Sequence, residues 1–200
     1  MEFRPAGPAK DRRIVHPRFR RASSNSENIM PFTNPSQLGG QNVAAFLDML
    51  AWSEGTSTSP ATVCDGYDVI VTGIDKRPEV FTDFSVHPFS RGRPSKVINS
   101  KGLTSNAAGR YQHMLKDYPH YRDLLKLPDF GPASQDKWAV QLIRERGALG
   151  DIQAGRLAAA VSKCRNIWAS LPGAGYNQPE HRFDALRAQY LLHGGVDNGV

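Results

Sequence analysis

The 200-residue chain has no apolar run near the roughly 18 residues that a membrane-spanning helix needs, so we expect no integral membrane segment. The basic N-terminus is not followed by an apolar stretch, so it does not have the pattern of a secretory signal peptide. The only two cysteines, Cys64 and Cys164, are far apart and lack metal-type spacing. The histidines are scattered, so we expect no metal ion and no other cofactor.

The positive charge lies mainly at the N-terminus. Residues 1–29 hold seven basic and three acidic side chains, so they carry +4 of the formal net charge of +6. The rest of the chain is nearly neutral and gives little reason to expect nucleic-acid binding. Residues 1–40 are rich in Pro, Gly, Ser and Asn without a periodic apolar face, which predicts a disordered arm before a folded domain at 41–200. Such an arm either contacts anionic polymers of a cell envelope weakly or is a leader without a role.

An apolar stripe at helical spacing predicts a first helix on Val43, Phe46, Leu47 and Leu50. Gly55 follows as a candidate C′ residue. Glu54 then lies at the negative end of the helix dipole, close to Trp52, and both surroundings disfavour a carboxylate. An acid kept protonated near neutral pH is suited to general-acid chemistry on a glycosidic oxygen. The alternative is a surface glutamate that merely ends a helix.

The remaining pattern predicts an α+β protein that is mostly helical. β-branched and aromatic residues predict two short antiparallel strands over 67–73 and 80–84, and residues 88–106 have the composition of a mobile loop. From Ala107 onward the periodicity predicts helices only. Their markers are a face on Tyr111, Met114, Leu115 and Tyr118, a cap at Ser134, a stripe from Leu157 to Trp168, and a last helix from Pro179 to Gly194.

Three polar–aromatic pieces stand at the ends of these elements: Trp52–Gly55, Gly109–Gln112 and Pro172–Gln178. Tyr111 and Tyr176 offer ring faces that stack on sugars. Gln112 and Asn177 can each donate and accept hydrogen bonds. Gathered around one acid, the pieces would line a polysaccharide cleft, whereas singly each is an ordinary turn or helix surface.

Longer stretches resemble the lambda lysozyme family of phage endolysins, in the same order over about residues 43–195. These are AFLDMLAWSEGT (45–56), GYDVIV (66–71), FTDFSVHP (81–88), AGRYQ (108–112), SQD (134–136), IRERGAL (143–149) and NIWASLPGAGY (166–176). The resemblance implies a lysozyme-like fold with a cleft between a helical part and a small antiparallel sheet. It also implies two mobile lips over the cleft, around residues 90–104 and 171–183.

The resemblance further implies that Glu54 is the catalytic acid of a lytic transglycosylase acting on peptidoglycan glycan strands. Such an enzyme cleaves the MurNAc–GlcNAc bond and leaves a 1,6-anhydro product. The substrate-binding residues expected from the motifs are Ser53, Asp68, Tyr111, Gln112, Tyr176 and Asn177. No aspartate follows Glu54 at the short spacing used by the other large phage lysozyme family, which favours a mechanism with one acid.

Two alternatives to this function remain open. A hydrolytic muramidase would need a second carboxylate, for which Asp65, Asp68 and Asp83 are the candidates. A non-catalytic glycan-binding module would keep the cleft but has no need of Glu54. The family also implies a monomer that waits in the host cytoplasm until a holin-type pore releases it to the cell wall; a tail-associated virion component would differ in location, not in chemistry.

Overall fold

The computed structural model describes residues 33–175 and 179–199. Within them the chain forms seven α-helices and six short strands. The helices are α1 Pro35–Leu38, α2 Gln41–Ser53, α3 Tyr118–Leu125, α4 Pro132–Glu145, α5 Leu149–Gln153, α6 Leu157–Cys164 and α7 Phe183–Leu192. The strands are β1 Val69–Ile70, β2 Glu79–Val80, β3 Lys96–Val97, β4 Thr104–Ser105, β5 Ala107–Ala108 and β6 His113–Met114. None of these helices is long and apolar enough to cross a membrane.

Helix α2 is the centre of the helical part. Every residue from Val43 to Ala51 is buried, so the apolar stripe predicted from the sequence is in fact one side of a helix that is covered all round. It packs against α1, α4, α5 and α7. Gly55 has a φ of +69°, which confirms it as the C′ residue that ends the helix. Glu54 is therefore held at the last turn of the most buried element.

The sheet packs beside this helical part and has the antiparallel order β2–β1–β5–β6. The prediction of helix from residue 107 onward is wrong for the first part of that segment, which forms β5, β6 and the 3₁₀ turn Leu115–Asp117. Gly109 and Gln112 both have positive φ values, +80° and +50°, and these bend the chain back between the two strands. A helical spacing of apolar residues cannot reveal such a turn.

Residues 88–106 were expected to lack regular structure, but they include the antiparallel hairpin β3–β4. The Asn99 side chain closes its turn, since its Oδ1 accepts the backbone N–H groups of Lys101 and Leu103, each at 3.0 Å. An Asx side chain that bonds the following backbone groups is a local turn signal. The Pro, Gly and Ser content of this stretch masked that signal.

The helices of the second half differ from the predictions mainly at their starts. Helix α4 begins at Pro132, so Ser134 lies inside the first turn and is not the cap. The N-cap is Gly131, and Asp129 stabilises the start of the helix, because its Oδ1 accepts Gly131 N–H at 2.9 Å and the Ser134 hydroxyl at 2.7 Å. Helix α7 begins at Phe183 and not at Pro179. Cys164 is a buried free thiol.

A buried ion pair connects the helical part to the sheet. Arg110, in the turn between β5 and β6, is 1% exposed and donates through Nη2 to Asp48 of α2 at 2.8 Å and to Asp65 at 2.9 Å. Its Nε donates to the Asp65 carbonyl at 3.0 Å. Breaking such a buried pair costs about 3–5 kcal/mol, because it leaves an uncompensated charge. The turn after β5 is thereby fixed against the helix that ends at Glu54.

The folded body begins earlier than the predicted boundary at residue 41. Thr33 N–H donates to Asp136 Oδ2 at 2.9 Å, and Leu38 of α1 is buried in the core beside α2. Asn34 caps α1 by accepting Ser36 N–H at 3.0 Å. Residues 33–40 thus belong to the folded body, while residues 1–32 lie outside the described residues and the arm stays a prediction there.

This boundary predicts different effects for two truncations. Deleting residues 1–40 removes α1 and the buried Leu38 side chain, so we expect a loss of about 2–5 kcal/mol in the free energy of unfolding, as for other truncations of a buried leucine. Deleting only residues 1–32 serves as the matched control and should leave the urea midpoint close to that of the full chain. Equal midpoints for the two truncated proteins would contradict the role given to α1.

Candidate active site

A groove of about 510 Å³ runs between the end of α2 and the sheet. This volume lies in the range of about 300–1,000 Å³ that is usual for ligand sites. The helical side contributes Glu54, Gly55, Thr56, Thr58, Ser59 and Pro60, and the segment before the second lip contributes Ile167, Trp168 and Ala169. The sheet side contributes Val69, Ile70, Val71, Thr72, Pro78, Ile98, Ser105, Ala107, Gln112 and Met114. An apolar floor with scattered hydroxyl groups suits the alternating apolar and polar faces of a sugar chain.

Glu54 is the C-cap of α2 and lines the groove at the end of that helix. Its Oε1 accepts the hydroxyl of Ser170 at 2.6 Å. Burial raises the pKa of the Glu54 carboxyl, while hydrogen bonds from the hydroxyl and backbone of Ser170 oppose that rise. The raised pKa agrees with the sequence-based expectation, but desolvation is the main cause. The Trp52 indole instead packs on His181, with 4.4 Å between ring centroids.

Glu54 is the only carboxyl group among the described residues that line the groove. Asp65 is paired with Arg110, and Asp83 forms an exposed pair with Arg91 at 2.7 Å. Burial raises the pKa of Asp65 in spite of that pairing, whereas hydrogen bonds from Ser85 lower the pKa of Asp83. In the part of the chain that the structure describes, no three His, Cys, Asp or Glu side chains are grouped as a metal site. The groove therefore presents one ionisable acid.

Asp68 was predicted to bind substrate, but the structure buries it away from the groove. Its carboxylate accepts the hydroxyl of Thr62, and its Oδ2 accepts Val63 N–H at 2.9 Å. The same Thr62 oxygen accepts Gly66 N–H at 2.7 Å. Asp68 thus shapes the loop that leads from Glu54 to β1, and any effect on substrate would pass through that loop.

Ser53 and Tyr111, also predicted to bind substrate, are buried behind the groove wall. The Tyr111 hydroxyl donates to Asp136 at 2.6 Å, and its carbonyl accepts the Trp168 indole N–H at 3.1 Å. Its ring therefore packs in the core and is not available to stack on a sugar. The Ser53 hydroxyl lies 3.0 Å from Leu50 O. Both residues support the wall of the site.

Gln112 is the predicted binding residue that does line the groove with Glu54. Its Nε2 donates to Gly109 O at 3.1 Å, which fixes the side chain across the turn between β5 and β6. Gln135 supports the same turn, since its Oε1 accepts Arg110 N–H at 2.8 Å. Tyr176 and Asn177, the remaining two predicted binding residues, lie outside the described residues and stay predictions.

Sequence reasoning missed the residues that hold the second lip. The exposed Glu180 carboxylate accepts Gly173 N–H at 2.7 Å and Gly175 N–H at 2.9 Å, and these bonds lower its pKa. It therefore ties the glycine-rich segment back onto the chain that leads to α7. Glu180 lies just before an amphipathic helix, and no local sequence pattern there indicates that it accepts hydrogen bonds from the glycine-rich segment.

His181 anchors the same segment to the end of α2. Its backbone N–H donates to Ser170 O at 2.9 Å, and its ring Nε2 lies 3.1 Å from Ser53 O. Its ring also packs against Trp52, with the two ring planes tilted by 42°. Glu180 and His181 thus make hydrogen bonds at the site, and α7 begins only after them, at Phe183.

An α+β body with a half-buried glutamic acid in a groove between helices and a small sheet is typical of a lysozyme-like enzyme. The comparisons agree with this class. The family model described as Endolysin matches residues 44–197. The endolysin of Escherichia phage P2 is 62% identical over 156 residues, which cover 78% of this chain and 94% of the relative.

The endolysin of Escherichia phage lambda is 51% identical over 153 residues, covering 76% of this chain and 90% of the relative. A solved structure of phage lambda lysozyme with a chitohexasaccharide superposes with a TM-score of 0.70 at 49% identity, covering 79% of this chain and 96% of that one. The chain belongs to the endolysin family. It is a peptidoglycan-degrading enzyme with the lysozyme-like α+β fold, so the resemblance noted in the sequence is confirmed.

The raised pKa of Glu54 predicts that the acid needed for the chemistry lowers the stability of the protein when it ionises. Because the pKa of Glu54 is higher in the folded than in the unfolded state, its protonated side chain contributes in full to stability below about pH 4.5. That contribution is lost as the pH rises through the folded-state pKa. Glu54→Gln removes the ionisation, so at pH 8 its Tm should exceed that of the wild type, by about 2–4 °C for each kcal/mol gained. At pH 4 the two melting temperatures should coincide. A variant that is less stable than the wild type at pH 8 would show that ionised Glu54 does not reduce the free energy of unfolding.

Proposed function

We propose that this endolysin is a lytic transglycosylase that cleaves the MurNAc-β-1,4-GlcNAc bond of peptidoglycan, with Glu54 as its single general acid and base. The observation that supports this most is that Glu54 is the sole carboxyl group among the described residues of the groove. A single acid can both give and take a proton if the nucleophile belongs to the substrate. The C6 hydroxyl of MurNAc is such a nucleophile.

In the first half of the reaction, the protonated Glu54 gives its proton to the bridging oxygen, and the bond from that oxygen to the anomeric carbon of MurNAc breaks. In the second half, the Glu54 carboxylate takes the proton of the C6 hydroxyl while that oxygen bonds to the anomeric carbon. The products are a 1,6-anhydro-MurNAc end and a free GlcNAc end, and Glu54 is protonated again. Burial, which raises the Glu54 pKa, favours the acid form that the first half of the reaction needs.

A hydrolytic muramidase is the second candidate. It would need a second carboxyl group, roughly 5–5.5 Å away for retention or 6.5–9.5 Å away for inversion. Asp65 and Asp68 are engaged in ion pairing and loop hydrogen bonds, and Asp83 is on an exposed ion pair. A non-catalytic glycan-binding module has less support, since it has no need to hold a desolvated acid at the head of the groove.

The substrate proposed for the groove is a glycan strand. The lysozyme of phage lambda has been solved with a chitohexasaccharide, and that structure covers most of this chain. We place Gln112 and the hydroxyls of Thr58 and Ser59 in contact with the strand, because they line the groove with Glu54. Tyr176 and Asn177 would complete the contacts from the second lip.

The setting of the reaction follows from the family. We propose a monomer that binds no nucleic acid, stays in the host cytoplasm until a holin-type pore releases it, and then acts on the cell wall. Contact of the basic residues before position 33 with anionic envelope polymers would be a weak addition to glycan binding.

The assignment of Glu54 predicts a sharp difference between carboxyl variants. Glu54→Gln should fold and lose lytic activity by about 10³-fold or more, because it can neither give nor take the proton. Asp68→Asn should keep much of its activity once the folded fraction is measured by thermal melting, and Asp83→Asn is the exposed control. Equal losses in folded Asp68→Asn and Glu54→Gln would favour a hydrolase with two carboxylates.

The product distinguishes a lyase from a hydrolase directly. Mass spectrometry of digested peptidoglycan should show muropeptides that are lighter by one water than those with a reducing end, because the C6 oxygen replaces water as the nucleophile. A muramidase digest of the same peptidoglycan provides the reference masses. Finding reducing MurNAc ends alone would sink the transglycosylase assignment.

A further inference from the structure

We propose that Ser170 is a positioning residue of the reaction. Its hydroxyl holds Oε1 of Glu54 and thereby leaves Oε2 as the oxygen that exchanges a proton with the substrate. The inference rests on the proposed role of Glu54 as general acid and base, and it adds a residue to that role. Ser170 lies 116 positions along the chain from Glu54, just before the second lip, and is partly buried.

The distance between the two side chains is short for a hydrogen bond. Ser170 Oγ lies 2.6 Å from Glu54 Oε1, at the short end of the usual range for an O–H donor. Donation to a carboxylate is among the stronger hydrogen bonds in proteins. Because the carboxyl group is planar, holding one oxygen also sets the direction of the other.

Ser170 is itself held from behind by buried groups. Its Oγ lies 3.0 Å from Ser53 Oγ, and Ser53 Oγ lies 3.0 Å from Leu50 O in the last turns of α2. The carbonyl of Ser170 accepts the His181 N–H at 2.9 Å, and the His181 ring contacts Ser53 O at 3.1 Å. These contacts fix Ser170 before any substrate enters, which is the condition for a preorganised site.

The direction of the hydroxyl protons explains why the arrangement suits an acid that must also act as a base. Ser170 has one hydroxyl proton, and it goes to Glu54 Oε1, so Ser53 is left to donate to Ser170 or to Leu50 O. This pattern is the same whether Oε2 carries a proton or not. A proton on Oε1 would instead reverse this hydrogen bond, so that Oε1 donates to Ser170 and Ser170 donates to Ser53. Exchange at Oε2 therefore lets every hydroxyl keep its direction in both halves of the cycle.

A neutral donor also limits the effect of burial. The hydrogen bonds from Ser170 stabilise the ionised form of Glu54 and so lower its pKa against the dominant effect of desolvation. Glu54 then remains able to lose its proton as well as to hold it. A charged partner in the same place would favour the carboxylate too strongly for general-acid chemistry.

The test compares Ser170→Ala with the wild type, with Ser162→Ala on the exposed side of α6 as the matched control. Two quantities are measured: kcat and KM on soluble glycan strands, and the pKa of the Glu54 carboxyl by ¹³C NMR titration. In Ser170→Ala we expect kcat to fall about tenfold or more at nearly unchanged KM, as for loss of a charge-assisted hydrogen bond. The Glu54 pKa should rise, because the donor to its ionised form is gone. Ser162→Ala should match the wild type in both.

The inference requires both changes in a folded variant, with folding checked by thermal melting. An unchanged kcat or an unchanged Glu54 pKa in Ser170→Ala would overturn it. Ser170→Thr, which keeps the hydroxyl, should retain the wild-type pKa and shows whether the donor or the packing matters. The outcome is separate from that of the proposed function. An inactive Glu54→Gln beside a fully active Ser170→Ala would remove only the role of Ser170, whereas an active Glu54→Gln would remove the role of Glu54 itself.

Discussion

The buried guanidinium of Arg110 is the interaction on which the geometry of the site depends. It pairs with Asp48 in the middle of α2 and with Asp65 in the loop that leads to the sheet. Glu54 follows the end of α2 and Gln112 lies in the turn that holds Arg110, so the ion pair connects the two sides of the groove. Burial raises the pKa of Asp48 to about 7 in spite of the Arg110 charge, which reflects the cost of placing such a pair in the core.

A second buried acid extends this arrangement. Asp136 of α4 accepts the hydroxyls of Tyr67 at 2.7 Å and Tyr111 at 2.6 Å, and also the backbone of Thr33. Tyr111 of the Gly109–Gln112 piece and Tyr67 of the loop before β1 therefore pack in the core. From the Gly109–Gln112 piece only Gln112 lines the groove, beside the apolar residues of the sheet and the hydroxyls of the loop after α2. Glu54 is the one carboxyl group among the described residues that line the groove, and burial raises its pKa, as is common at functional sites.

Local sequence patterns were sufficient for α2, its end at Gly55 and the position of Glu54 at that end. They failed where a turn or a partner decides the outcome. Tyr111 is an aromatic residue beside a polar neighbour, a pattern that also suits stacking on a sugar. The positive φ of Gly109 instead directs the chain so that the Tyr111 ring enters the core. Asp68 and Ser53 were assigned to substrate from the motifs, and their burial gives them supporting roles.

The sequence by itself determined the family and the position of the proposed catalytic acid, because long ordered matches and a helix end can be read along the chain. Only the tertiary structure decided which side chains meet. Ser170 is 116 residues from Glu54, and His181 is 128 residues from Ser53, so no spacing rule connects them. Their contacts arise because the core brings the segment after α6 back over the end of α2. Side-chain direction at a site is set by such packing, which no local pattern encodes.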